Sequence, residues 1–200
     1  MKNKRINGLI GVLVSAAVVA AVVVGVVLRN RSQPLSSGEI DALRTKYPQY
    51  STTIIDTMGD CDRLANLPKK LPQVSLVRVT RLAGEPAAGS EGRVLVPVRV
   101  DEVLYRSAQA GDALSGKTDS CTLAVADAAQ FPEGSYVLAV QVVPANDLQL
   151  AADTRGGMYV TDSGRVITMD GSAELFLQPY NGSTLKQFRA AVQKEMGANK

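Results

Sequence analysis

The chain has no histidine and no tryptophan, and its 200 residues include two cysteines, six tyrosines and three phenylalanines. Without an imidazole there is no Ser-His-Asp triad, no Cys-His pair and no His-ligated zinc site, because each needs a base or ligand that titrates near neutrality. Acidic residues are absent from the first 31 positions, where Lys2, Lys4, Arg5, Arg29 and Arg31 are found. From residue 32 onward, 17 basic residues face 19 acidic ones. The formal charge of +3 therefore arises at the N-terminal end and is no nucleic-acid footprint. A scarcity of rings also argues against a base-stacking surface.

What the N-terminal end does have is one long charge-free run. Residues 6–28, opening at Ile6 and closing at Leu28, hold only Asn7 and Ser15 as clearly polar members. As a helix, at about 1.5 Å per residue, this run is roughly 34 Å long and spans a hydrocarbon core of ~30 Å with slight tilt. The positive groups before it outnumber those after it, which favours a cytoplasmic N-terminus. A cleaved signal peptide is the competing reading, but its apolar region is usually shorter and ends at a small-x-small site. Ala17, Ala21 and Gly25 form a small-xxx-small line of the kind that packs two such helices together. The expected organisation is a cytoplasmic stub over 1–5, a transmembrane helix over 6–28 and a linker over 29–37. A short helical or irregular segment over 38–71 and a β-domain over 72–200 follow.

Beyond the linker, Ser36 and Glu39 have capping-box spacing, with Ile40, Leu43 and Tyr47 on one helical face and Pro48 as the stop. A short strand is predicted over 52–55 and a helical turn over 61–67, closed by Pro68. From Pro72 the apolar period changes to two. Residues 74–82 are rich in β-branched side chains, and Val94, Val96, Val98 and Val100 share one face. Pro97 cannot donate to a ladder, so its strand is at an edge or bulged there. Further strands are predicted near Leu123, over 136–143, over 158–161 and 165–169 around an Asp162-Ser-Gly164 hairpin loop, and at Leu175 and Leu177. Ser183 is the predicted N-cap of a last helix carrying Leu185, Phe188, Val192 and Met196, which docks on the domain's own sheet.

An even cysteine count in an extracytoplasmic domain predicts one disulfide, Cys61 to Cys121, closing a loop of about 60 residues for ~4 kcal/mol. An anchor, a β-domain and the run Thr118-Asp-Ser-Cys-Thr-Leu123 loosely resemble a sortase. That family activates its Cys with a His, which this chain lacks. Ser115-Gly116-Lys117 is the nearest approach to a Ser-Lys dyad, and a solvated turn is its ordinary reading. Asp60/Asp62 and Asp101/Glu102 are candidate acid pairs or Ca²⁺ ligands, although neighbours on a strand point to opposite faces unless a bulge converges them. Gly156-Gly157 lacks the rest of a phosphate cradle, and Asn181-Gly-Ser is a glycosylation sequon only in a eukaryotic secretory setting. No catalytic residue, cofactor or metal is assigned.

The sequence Val94-x-Val-x-Val-x-Val100-Asp-Glu-Val-Leu-Tyr105, then Gly111-Asp112, Cys121 and Phe131-Pro-Glu-Gly-Ser-Tyr-Val-Leu138, resembles a bacterial membrane-anchored extracytoplasmic module of unknown function. Its barrel is similar to OB folds and distantly to the netrin-like domain of metalloproteinase inhibitors. The likeness covers about residues 72–196, including Gly156-Gly-Met-Tyr-Val160, Asp162-Ser-Gly-Arg-Val166 and the final helix. It implies an all-β fold with minor α: an OB-like Greek-key β-barrel with a C-terminal helix, preceded by one transmembrane helix. The inhibitor activity does not carry over, because it needs an N-terminal Cys. The expected function is a single-pass, membrane-anchored protein with a non-catalytic barrel outside the cell, binding or scaffolding an envelope or cell-wall partner and no nucleic acid. The alternative is a His-independent envelope hydrolase or peptidase; a sensor with a small ligand or ion in the barrel mouth is a third reading.

Overall fold

The computed structural model describes residues 33–50, 61, 63–115, 118–143, 148–171 and 176–197. The apolar run over 6–28, the strand expected over 52–55, Asp60, Asp62, Gly116, Lys117 and Leu175 lie outside the described residues. Among the described residues no helix is long and apolar enough to cross a membrane.

Five long strands form a closed barrel. They are β1 (Ser75–Arg81), β3 (Val94–Tyr105), β4 (Thr118–Val125), β5 (Gly134–Val143) and β6 (Gln149–Val160). The circuit runs β1–β3–β4–β6–β5 and back to β1. All contacts in it are antiparallel except β4 with β6, where Thr122 to Ala124 run alongside Gln149 to Ala151. A two-residue strand, β2 (Ala87–Ala88), folds back on β3, and β7 (Val166–Thr168) extends β6 through the Asp162-Ser-Gly164 loop, with Gly164 at φ +75°.

Both faces of part of this wall are buried. Val77, Val79, Val96, Val98, Val100, Leu123, Leu138, Val140 and Leu150 fill the barrel. The alternate residues Leu76, Val137, Ala139 and Met158 face outward into a second apolar layer. Covering on both sides explains why residues 136–140 read as an unbroken apolar run: the period of two is hidden where neither face meets water. The outer layer consists of a 3₁₀ turn (Leu64–Asn66), α2 (Leu67–Lys70) and α3 (Leu185–Met196), with Phe188, Val192 and Met196 buried.

Pro97 lies within β3, and the ladder bond that its missing N–H forfeits is replaced by one from a side chain. β1 pairing on β3 ends at Val98, opposite Arg81, and the Pro97 carbonyl on that side accepts from Leu82 N–H at 3.0 Å. A strand residue's N–H and C=O point to the same neighbour, so the missing N–H faces the Leu82 carbonyl, which accepts from the Arg81 guanidinium instead. The register with β4 breaks beside it, between Val98 and Val100.

The helix α1 (Ser37–Leu43) has the expected capping box: Ser36 Oγ accepts from Glu39 N–H, and the Glu39 carboxylate accepts from Ser36 N–H at 2.8 Å. Four expectations are corrected. The predicted disulfide does not form: neither Cys61 nor Cys121 is disulfide-bonded. Cys121 projects into the barrel opposite Val98, whereas Cys61 belongs to the outer layer, so the barrel wall separates the thiols. Pro68 does not close the helical turn but sits in the first turn of α2, where its absent N–H has no helical partner to lose. Leu177 precedes a 3₁₀ turn (Gln178–Tyr180) in place of a strand. The N-cap of α3 is Thr184, one residue after Ser183, because Gln187 three residues on completes a capping box with it.

Candidate functional site

A bulge brings both members of the acid pair of the sequence against β1. Val79 faces Val100 and Arg78 faces Glu102, which leaves Asp101 as the extra residue of a bulge. The bulge turns both carboxylates toward the β1 side chains Arg78 and Thr80, but arginines already hold them. Glu102 accepts two hydrogen bonds of 2.7 Å from the Arg189 guanidinium on α3 and lies 3.6 Å from Arg78. Asp101 accepts from Thr80 Oγ1 at 2.7 Å and from Arg99 Nε at 2.8 Å. Burial pushes the Asp101 carboxyl up, yet those two hydrogen bonds and the charges of Arg78 and Arg99 outweigh it and hold the group below its usual range. The pair fastens a helix and a strand to the wall and is not poised to transfer protons.

The other candidates fare similarly. Burial pushes the Cys121 thiol up to about 11, far from the thiolate a nucleophile requires. Asn181 Oδ1 accepts from Thr168 N–H at 3.1 Å, a structural use of the sequon residue. Gly157 is a packing position: a Cβ there would lie 2.6 Å from Met169 Sδ and 3.2 Å from Leu138 Cδ2. Among the described residues no group of three acidic or cysteine side chains is placed to hold a metal ion.

The concave feature with a chemical character is a recess of about 500 Å³ at one end of the barrel. Four segments build it, one of them β1, which contributes Arg78. Lys46 and Tyr47 come from the chain after α1, Pro132 to Tyr136 open β5, and Tyr159 to Asp162 close β6. Tyr136 and Tyr159 sit directly opposite each other in the β5–β6 ladder and point inward in phase with Leu138 and Val140. Their ring centroids are 5.5 Å apart, and Tyr47 packs on Tyr159 at 5.4 Å, both tilted arrangements of the kind aromatic quadrupoles favour. Phe131 extends the cluster, 5.7 Å from Tyr136. Burial pushes the Tyr136 and Tyr159 phenols well above their ordinary range, so they stay neutral at physiological pH.

The rim of the recess is charged. Lys46 Nζ donates to Asp162 Oδ2 at 2.6 Å, and Tyr47 Oη accepts from Asp162 N–H at 3.2 Å. The hydrogen bond to Asp162 raises the Lys46 ammonium above its usual range, and the same bond lowers Asp162. A Ser-Lys dyad requires a neutral amine. Lys46 is held as a cation, and the one serine at the recess, Ser135, donates to the Val79 carbonyl at 3.4 Å. The recess thus has an aromatic floor and a charged lining, in which Lys46 pairs with Asp162 while Arg78, beside Glu102, and Glu133 add further charge, suited to holding a group by contact and hydrogen bonding.

Sequence reasoning named the barrel mouth but none of these residues. The inward phase of Tyr136 was available from its spacing to Leu138 and Val140. That of Tyr47 was not, since it depends on a tertiary crossing.

Together the fold and site define a closed five-stranded β-barrel with a C-terminal helix on its wall and a tyrosine-lined recess at one end. No protein family, curated protein or solved structure matches the chain.

Proposed function

We propose that the protein is a membrane-anchored, extracytoplasmic binding module whose OB-like barrel holds a partner group in its end recess and performs no chemistry on it. The observation that carries this reading is the recess, in which neutral phenols line the floor and Lys46 is ion-paired with Asp162 at the rim, beside Arg78 and Glu133. Such a site offers contact area and oriented donors without a nucleophile or a poised base. The five-stranded circuit with its single parallel contact supports the OB-like assignment. The charge-free run over 6–28 with its basic flanks supports the anchor.

The test uses the tyrosines as reporters. Protein carrying ¹³C-labelled tyrosine is titrated with short peptides and oligosaccharides of envelope origin. A genuine ligand shifts the Tyr47, Tyr136 and Tyr159 signals and leaves Tyr105 and Tyr180, which pack on the outer layer, in place. Shifts confined to Tyr105 and Tyr180, or turnover of the added compound, contradict the proposal, and turnover restores the hydrolase reading.

A further inference from the structure

We infer that the segment from Pro34 to Tyr50 is a displaceable strap closing the end of the barrel, with Tyr47 as its plug, and that access to the recess is regulated by its release. The inference rests on the recess being a binding site.

Tyr47 alone among these 17 residues is buried. The helix α1 buries nothing; Ile40, Leu43 and Tyr50 rest only partly covered against the barrel core. Polar attachments are spaced along the strap beside these contacts. Leu35 N–H donates to the Gly182 carbonyl at 2.9 Å, and the Arg44 guanidinium donates to the Thr168 carbonyl at 2.7 Å. Lys46 pairs with Asp162, 64% and 84% exposed respectively, and Tyr50 N–H donates to the Met169 carbonyl at 2.8 Å.

A segment with one fully buried side chain, held otherwise by partly covered apolar contacts and by hydrogen bonds that are part-buried or exposed, opens at lower free energy than the strands it covers. Tyr47, however, supplies a wall of the recess and packs on Tyr159. Lifting the strap therefore removes that wall and uncovers the ring of Tyr159 beneath it. A ligand that enters only when the strap is lifted and takes the place of Tyr47 over Tyr159 shifts the strap by linkage, and the strap position sets the ligand's apparent affinity.

The experiment has two arms. In the first, hydrogen exchange on the unmodified protein is expected to show amides of 37–47 exchanging at least ~100-fold faster than those of β1 and β5; equal protection overturns the inference. In the second, Tyr50→Cys/Asp170→Cys pins the strap. These residues are paired in an isolated parallel bridge, at a backbone spacing within disulfide reach. The fluorescent probe is 8-anilinonaphthalene-1-sulfonate, with cooperative melting as the control for folding. Oxidation of the double variant is expected to weaken probe binding at least ~10-fold, with recovery on reduction. Tyr47→Ala, which removes the plug, is expected to strengthen binding by a similar factor. If Tyr47→Ala binds the probe tightly but pinning has no effect, the strap inference falls and the recess survives. If neither the unmodified protein nor Tyr47→Ala binds it, the recess reading falls and the strap with it.

Discussion

Replacing Phe188 by alanine tests how the barrel is held together. Phe188 is fully buried at the end of the first turn of α3 and meets Tyr180 edge-on, with centroids 5.3 Å apart. It is the largest side chain that α3 places on the outer wall, among Leu76, Val137 and Met158. Removing a buried Phe costs about 3–5 kcal/mol when the site does not collapse. At about 2–4 °C per kcal/mol for a domain of this size, the midpoint of thermal unfolding should fall by roughly 6–20 °C. Arg189→Ala is the control on the same helix. It breaks a bidentate pair with Glu102, but the two side chains are 38% and 28% exposed, so the loss should be only about 1 kcal/mol. Circular dichroism melts of the three proteins measure both. A Phe188→Ala midpoint within about 2 °C of the unmodified protein would refute docking of α3 on the wall, and a larger loss for Arg189→Ala would mean that the ion pair, not packing, holds the helix.

Three further outcomes are expected. Asp101 has a depressed carboxyl, so its contribution is present above about pH 4, the unfolded carboxylate value, and is lost as pH falls through the lower folded value. Thr80→Val removes one of its donors and should cost about 1–2 kcal/mol at pH 7, with the difference shrinking toward pH 2.5 in urea melts; an equal loss at both pH values contradicts the assignment. Both thiols are buried and unbonded to each other, so Ellman's reagent should find none in the folded protein and two per chain in guanidinium, and dithiothreitol should leave the melting midpoint unchanged. Gly157→Ala forces a Cβ to within 2.6 Å of the buried Met169 sulfur and should cost about 1–3 kcal/mol, measured by the urea midpoint; a neutral result would mean that β6 is looser than described.

Periodicity made much of this barrel legible. The alternating valines from Val94 to Val100 announced both a strand and its inner face, and the spacing of Phe188, Val192 and Met196 announced a docked helix. The cysteine argument failed because an even count carries no direction: Cys121 shares the inward phase of Val98 across the ladder, while Cys61 lies in a segment with no period from which to read a face. The bulge that the Asp101/Glu102 pair required is present, and it sets both carboxylates against β1 side chains. Glu102's partner Arg189 lies 87 residues away in the chain, and no local pattern links the two. The recess was illegible for the same reason. It is assembled where the chain after α1 crosses the barrel end, and only the inward phase of Tyr136 left a trace in the sequence.

The account stands most directly on where the barrel resides. Ala190 is exposed on α3, whereas the native cysteines are buried, so an Ala190→Cys variant carries one reactive thiol. Intact cells producing it are treated with a membrane-impermeant maleimide. The account expects labelling of the variant in intact cells and none of the unmodified protein. Labelling of the variant only after permeabilisation would put the barrel on the cytoplasmic side and contradict the account.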